Sequence, residues 1–383
     1  MVPPPARWDL VCRVVDNLGD AAVMWRLARQ LAVEHGRDVR LFIDQPAVLN
    51  RLVPQACVGT SLEGVAIHAL GEDGGESRTQ VPDAGDTDVV VAGFHAELPP
   101  NYRRSMARRS PVWVNLEYLS AEDWIDRFHG LPSTHADGLT EHFFYPGFTA
   151  GSGGLLRERD LTTRRDAFHR DNGAARFLPD LGVRRDPDET TASILCYPDA
   201  PLDELVRRLS PAAKRLHLVI PQGAVARATT AADAAALSKA SHGRLRITQV
   251  PFLPQQDFDR LLWSCDLNFV RGEDSFVRAI WSGKPFVWQI YPQAEAAHLP
   301  KLEAFLRLLP GEPLADATRW WNRVAGVEDS AMLELLSHPQ RASKCLQRLA
   351  PLATVSDLST RLTAFVHTIA ASRCEGAETA GKL

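Results

Sequence analysis

Two short clusters in this 383-residue chain carry side chains able to do chemistry. The first is Asp16-Asn17-Leu18-Gly19-Asp20, two carboxylates four positions apart beside a glycine. Such a pair can grip a cationic side chain, localise its charge and accept a proton from it. The second is Arg271-Gly272-Glu273-Asp274-Ser275. A strand, a glycine turn and a helix start leave backbone N–H groups unpaired, which suits an anion. Arg271 adds a fixed, bidentate cation and Ser275 a hydroxyl, so a diphosphate is the expected guest. Glu273 and Asp274 repel phosphate and need other tasks, such as sugar hydroxyls or a cationic partner. A plainer alternative stands beside each assignment. Asp20, Asp274 or Ser275 can serve as a helix N-cap, and Asp16 and Gly272 suit a tight turn.

The elements that must hold these clusters alternate along the chain. Residues 8–15 predict a buried strand, and residues 21–35 a helix with Asp20 as N-cap and Gly36 as its stop. Residues 39–43, 65–70, 88–91 and 112–116 predict further strands, and residues 71–86 a polar loop. Residues 132–156, rich in glycine and aromatics, read as irregular chain in a cleft wall, and 180–189 as a linker. A second series follows, with strands at 192–196, 216–220, 245–250, 267–270 and 286–290 and an alanine-rich helix at 224–240. A helix from 355 is expected to return to the first domain. The fold class is therefore α/β, two Rossmann-like doubly wound domains facing a central cleft. Expected bounds are 1–184, with 356–383 packing back on it, and 185–355.

Ligands of such sheets gather beyond the carboxyl ends of the strands. That places Asp16 and Asp20 on one domain and the Arg271 stretch on the other, expected to face each other. Tyr197, Phe252, Gln255 and Phe258 also fall at or just past strand ends. A nucleotide base can stack on Phe252 or Tyr197 and bond to Gln255, with core packing as the alternative for each aromatic. After the first strand only Gly19 is present where a dinucleotide fingerprint needs GxGxxG, and no P-loop occurs. The phosphate site thus belongs to the second half and the acids to the first, a division that suits transfer from a nucleotide sugar to a cationic acceptor.

Composition narrows the partners. The chain is 45% hydrophobic and 23% charged with net charge −4, so no global basic field draws nucleic acid. Six cysteines form no CxxC pair, which points away from zinc and disulfides and towards a reducing, cytoplasmic setting. No basic leader or membrane-length apolar run is expected. The arginine pairs at 103–104, 108–109 and 164–165 offer either a docking face for an acidic partner or solvated helix faces.

CRVVDNLGDAAVMWRLARQL, VWVNLEYLSAEDWI, HFFYPGF and PFLPQQDFDRLLWSCDLNFVRGEDSFVRAIWSGKPFVWQIYPQ together resemble the elongation factor P arginine rhamnosyltransferase family, EarP, from Asp9 to about Phe305. The resemblance implies a bacterial GT-B glycosyltransferase. It would move L-rhamnose from dTDP-β-L-rhamnose to one arginine of translation elongation factor P, inverting the anomeric centre and activating the factor. It implies Asp16, Asp20 and Glu273 as catalytic residues. It implies Asn17, Gly19, Tyr197, Phe252, Gln255, Phe258, Arg271, Gly272, Asp274 and Ser275 around the donor, with no cofactor and no metal. A second aromatic that some members carry two residues before the tyrosine is absent, since the neighbourhood reads Ile194-Leu195-Cys196. A guanidinium is a poor nucleophile, so Asp20 is expected as general base, Asp16 as orienter, and Glu273 on the guanidinium or the sugar. Arg271 and the helix start would stabilise the departing dTDP. Two rivals remain: a nucleotide-sugar transferase acting on a lipid or glycan, and a non-catalytic protein that binds elongation factor or ribosome.

Overall fold

A computed structural model describes residues 6–16, 18–71, 84–209, 214–223, 236–239, 241, 243–309 and 313–380, with side chains through 374. Asn17 and most of the expected 71–86 loop and 224–240 helix lie outside the described residues. The chain divides into two compact units, one of residues 1–159 with 355–383 and the other of residues 160–354.

The first unit holds an eight-stranded sheet. Its strands are β1 Arg7–Cys12, β2 Asp38–Ile43, β3 Ser61–Leu62, β4 Val65–Ala69, β5 Val89–Gly93, β6 Val112–Leu116, β7 Pro132–Thr134 and β8 Thr140–Phe144. Their order is β3-β4-β2-β1-β5-β6-β8-β7, parallel throughout except for β3 and β7 at the two edges. Strands such as β5, VVVAG, are buried along their whole length because helices cover both faces of a parallel sheet. Connections run outward one way from β1 and then the other way from β5, so the switch in strand order lies between these two neighbours.

Three differences from the expected elements have physical causes. β1 stops at Cys12 rather than at residue 15, because the next residues turn to meet the side chains of Asp44, just after β2, and of Asp20 in the following helix. Residues 132–156 are not irregular throughout: β7 and β8 form a hairpin around Gly138 (φ 81°), and β8 joins β6 in parallel. The charged turn His135–Gly138 hides that pairing from a periodicity reading. Residues 160–184 belong to the second unit, so the boundary is not at 184. Phe168 packs on Trp263 at 5.5 Å, and Leu178 and Val183 are fully buried in the second unit's core. The 180–189 stretch is accordingly no free linker, and Asp186 is tied to Arg215 at 2.6 Å.

The second unit holds a five-stranded parallel sheet of β9 Glu189–Ile194, β10 Arg215–Pro221, β11 Leu245–Val250, β12 Leu267–Arg271 and β13 Phe286–Gln289. Its order is β11-β10-β9-β12-β13, with the switch between β9 and β12. The last helix, Leu358–Ala380, packs on the first unit. Leu358, Leu362 and Val366 are buried, Phe365 meets Phe144 and His129, and Arg373 donates to the carbonyls of Ser110 and Pro111.

Candidate functional site

The acidic cluster sits beyond the carboxyl end of β1, beside the switch point of the first sheet. The helix Gly19–Val33 begins within it, two residues before the expected start, with Leu18 as N-cap and no side-chain cap. Asp20 is therefore not the N-cap. It lies inside the first turn, 3% exposed, and one carboxylate oxygen accepts the backbone N–H groups of Val15 (2.8 Å) and Asp16 (2.9 Å). Burial raises its pKa above the ordinary aspartate value; the two N–H bonds oppose this, and the charges of Asp16 and Asp44 add to the rise. A Cβ on Gly19 would stand 3.1 Å from an Asp16 carboxylate oxygen, so glycine leaves room for that side chain against the helix start.

Sequence reading missed the partners that shape this loop. Asp44 follows β2 and accepts the N–H of Val14 at 3.0 Å, while the Gln45 amide donates to the Val14 carbonyl at 3.0 Å. Lying at the end of a neighbouring strand, they carry no local motif. Further along the same edge, Phe94 (φ 56°) and His95 (φ 58°) follow β5 in left-handed backbone, a conformation costing roughly 1–3 kcal/mol per residue. The His95 imidazole meets Glu117 at 2.9 Å and Asn115 at 2.9 Å, both from the end of β6.

The second cluster sits at the switch point of the other sheet. β12 ends at Arg271, Gly272 turns the chain with φ 60°, and the helix Asp274–Ser282 begins. Glu273 is the N-cap residue, but no side chain caps the helix. Ser275 instead turns back, its hydroxyl accepting from the Arg271 N–H at 3.0 Å and donating to the Arg271 carbonyl. Asp274 bonds to Arg278 at 2.8 Å, and Arg278 also reaches Asp259 at 2.8 Å, all three buried. The N-cap alternative for Asp274 and Ser275 thus gives way to a helix start at Glu273 with no side-chain cap. Glu273 has a cationic partner, Lys301, at 3.1 Å, which the sequence reading did not name.

Arg271 is aimed by aromatic contacts. Its guanidinium lies 4.6 Å from the Tyr197 ring centroid, and Tyr291 meets the same ring edge-on at 5.4 Å. Tyr197 follows β9 across the switch from β12, is 5% exposed, and donates its N–H to Gln289 at 2.7 Å. The face offered in the sequence reading to a base is thus shared with Arg271. Phe252 and Gln255 follow β11, two strands from β9, and are half-buried. Phe258 packs on the core around Leu178, Val250 and Leu261, the contact its core-packing alternative describes.

A family model described as elongation factor P rhamnosyltransferase EarP matches residues 8–367. The chain belongs to the EarP family. It is 45% identical over 332 residues to a protein-arginine rhamnosyltransferase of Pseudomonas aeruginosa, covering 82% of this chain and 86% of that one. A solved structure concerned with EarP-mediated arginine glycosylation of translation elongation factor EF-P aligns with 94% of this chain and 98% of its own, at 30% identity and TM-score 0.55. A UDP-glucosyltransferase from Polygonum tinctorium aligns at TM-score 0.54 and 11% identity, covering 96% of this chain and 99% of that one, a likeness of fold alone. This EarP member is thus a protein-arginine rhamnosyltransferase of the GT-B class, built on two Rossmann-like domains. Among the described residues no helix is long and apolar enough to cross a membrane, and no three histidine, cysteine or acidic side chains are grouped to hold a metal ion.

Proposed function

We propose that this EarP member transfers L-rhamnose from dTDP-β-L-rhamnose to one arginine of translation elongation factor P, inverting the anomeric carbon. A guanidinium nitrogen attacks that carbon as the bond to the diphosphate oxygen breaks, and Asp20 takes the proton that the nitrogen sheds. Asp16 orients the guanidinium, and Glu273, held by Lys301, contacts the guanidinium or the sugar. Arg271 and the helix start at Asp274 receive the charge growing on the dTDP, the work a metal cation does elsewhere. Gly272, Asp274 and Ser275 shape that turn. Phe252 and Gln255 take the base, and Phe258 backs them from the core. Neither cofactor nor metal is called for in this account.

The observation that carries it is the placing of the two clusters. Each unit puts one of these clusters at the switch point of its own sheet, acids in the first and a helix start without a side-chain cap, beside an arginine, in the second. Incubating the protein with dTDP-β-L-rhamnose and elongation factor P, then weighing the factor intact, tests it. A gain of one deoxyhexose, lost when the target arginine is replaced by lysine, is expected. Tight binding without mass gain would favour a non-catalytic binder, and donor consumption with an unmodified factor would favour another acceptor.

A further inference from the structure

Resting on that reading, we propose that His95 is an acceptor-binding residue whose locked imidazole plane stacks on the guanidinium of the acceptor arginine. The side chain is 62% exposed, yet what holds it is buried. Asn115 sits at the centre of the clamp. Its carbonyl oxygen accepts the His95 backbone N–H at 3.2 Å, and its amide nitrogen reaches His95 Nδ1 at 2.9 Å and Glu117 Oε1 at 3.2 Å. Flipping the amide would set N–H against N–H and oxygen against carboxylate, so only one orientation satisfies all three contacts. The amide then donates to Nδ1, which carries no proton, and the ring proton on Nε2 points to Glu117 Oε2 at 2.9 Å.

Both ring nitrogens are thereby occupied, which rules His95 out as a free base in this arrangement. What remains for a ligand is a neutral, rigid ring face, made electron-rich by the carboxylate behind it. That face suits the planar, weakly hydrated guanidinium. Its place fits the same guest. β5 is the immediate neighbour of β1, in register from Trp8 opposite Val89 to Cys12 opposite Gly93, so His95 and the Asp16–Asp20 loop follow adjacent strand ends. Two successive left-handed residues hold the ring there, with Phe94 stacked on Tyr118 at 4.5 Å to fix the turn.

The test compares calorimetric binding of unmodified elongation factor P, without donor, and steady-state kinetics for wild type, His95→Ala, His95→Phe and Asn115→Asp. His95→Ala should weaken acceptor binding and raise the acceptor KM about tenfold, with the donor KM and dTDP affinity unchanged. His95→Phe keeps a ring face and should recover most of the loss. Asn115→Asp presents an acceptor to Nδ1, places a proton there and makes the ring a cation, so acceptor binding should fall while dTDP binding holds; the Nδ1 nitrogen resonance reports that proton directly. Acceptor binding by His95→Ala within twofold of wild type, equal loss of donor affinity, or no acceptor binding by wild type would overturn the proposal. If wild type binds the factor but transfers no rhamnose, the transfer reading fails, while the binding comparison still decides the role of His95.

Discussion

At Asp20 burial and two backbone N–H bonds pull its pKa in opposite directions, and burial, reinforced by Asp16 and Asp44, prevails. A base must be ionised to take a proton, so a raised pKa means that activity falls with decreasing pH at a point above the ordinary aspartate range. Asp20→Asn should lower kcat by about 10²–10⁴-fold. The variant should fold, because the Asn carbonyl can still accept from Val15 and Asp16 and no buried charge remains. Folding that aspartate is easier when it is protonated, so wild type should lose some stability as pH rises through the raised pKa, and Asp20→Asn should not. Kinetics across pH and thermal melts at two pH values check both statements. Arg271→Ala removes the guanidinium from Tyr197 and from the helix start, and should weaken dTDP binding by about 1.5–3 kcal/mol, measured by calorimetry.

The helix Asp274–Ser282 shows how an element, and not only its residues, would make the proposed anion site. All nine of its residues are buried, and Phe276 stacks on Trp288 at 4.1 Å, so its axis is fixed by packing. The Asp259–Arg278–Asp274 chain ties its first turn to the neighbouring helix Gln255–Ser264. Arg278→Met removes the guanidinium that two buried carboxylates share and should cost about 3–5 kcal/mol, read from chemical denaturation. On the same sheet, His217 is buried in β10 beside Thr248, and burial, with Arg246 adding, pushes its pKa down from 6.5 to about 4. The unfolded chain binds that proton first. The His217 contribution to stability should be full above about pH 6.5 and fall towards pH 4 by up to about 1.4 kcal/mol per pH unit, a slope that His217→Gln should remove. Strands such as those at 88–91 and 112–116 were legible because buried parallel strands are near-continuous apolar runs. The Arg271 turn was legible because strand, glycine and helix start are contiguous. Asp44, Gln289, Lys301 and the pairing of His95 with Asn115 and Glu117 were not, since each joins separate elements that only the tertiary fold brings together. The cap roles of Asp20 and Ser275 failed for a related reason: both side chains bond backward into the loop, a choice that local preference does not reveal.

Across the whole molecule, two sheets with the same kind of switch point carry opposite charges there, acids on one and an arginine beside a helix start on the other. The first sheet depends on the chain's last helix, where Leu362 is fully buried and Arg361 donates to the carbonyls of Thr149, Ala150 and Ser152. Leu362→Ala should destabilise the first unit by about 2–5 kcal/mol and leave dTDP affinity unchanged, because the Arg271 cluster belongs to the other unit. The most direct measurement of this division is calorimetric titration of dTDP into Arg271→Ala and into Asp20→Asn. The account predicts a loss of at least about tenfold in affinity for the first and an affinity within about twofold of wild type for the second. The reverse pattern, with Asp20→Asn losing the nucleotide and Arg271→Ala keeping it, would contradict it.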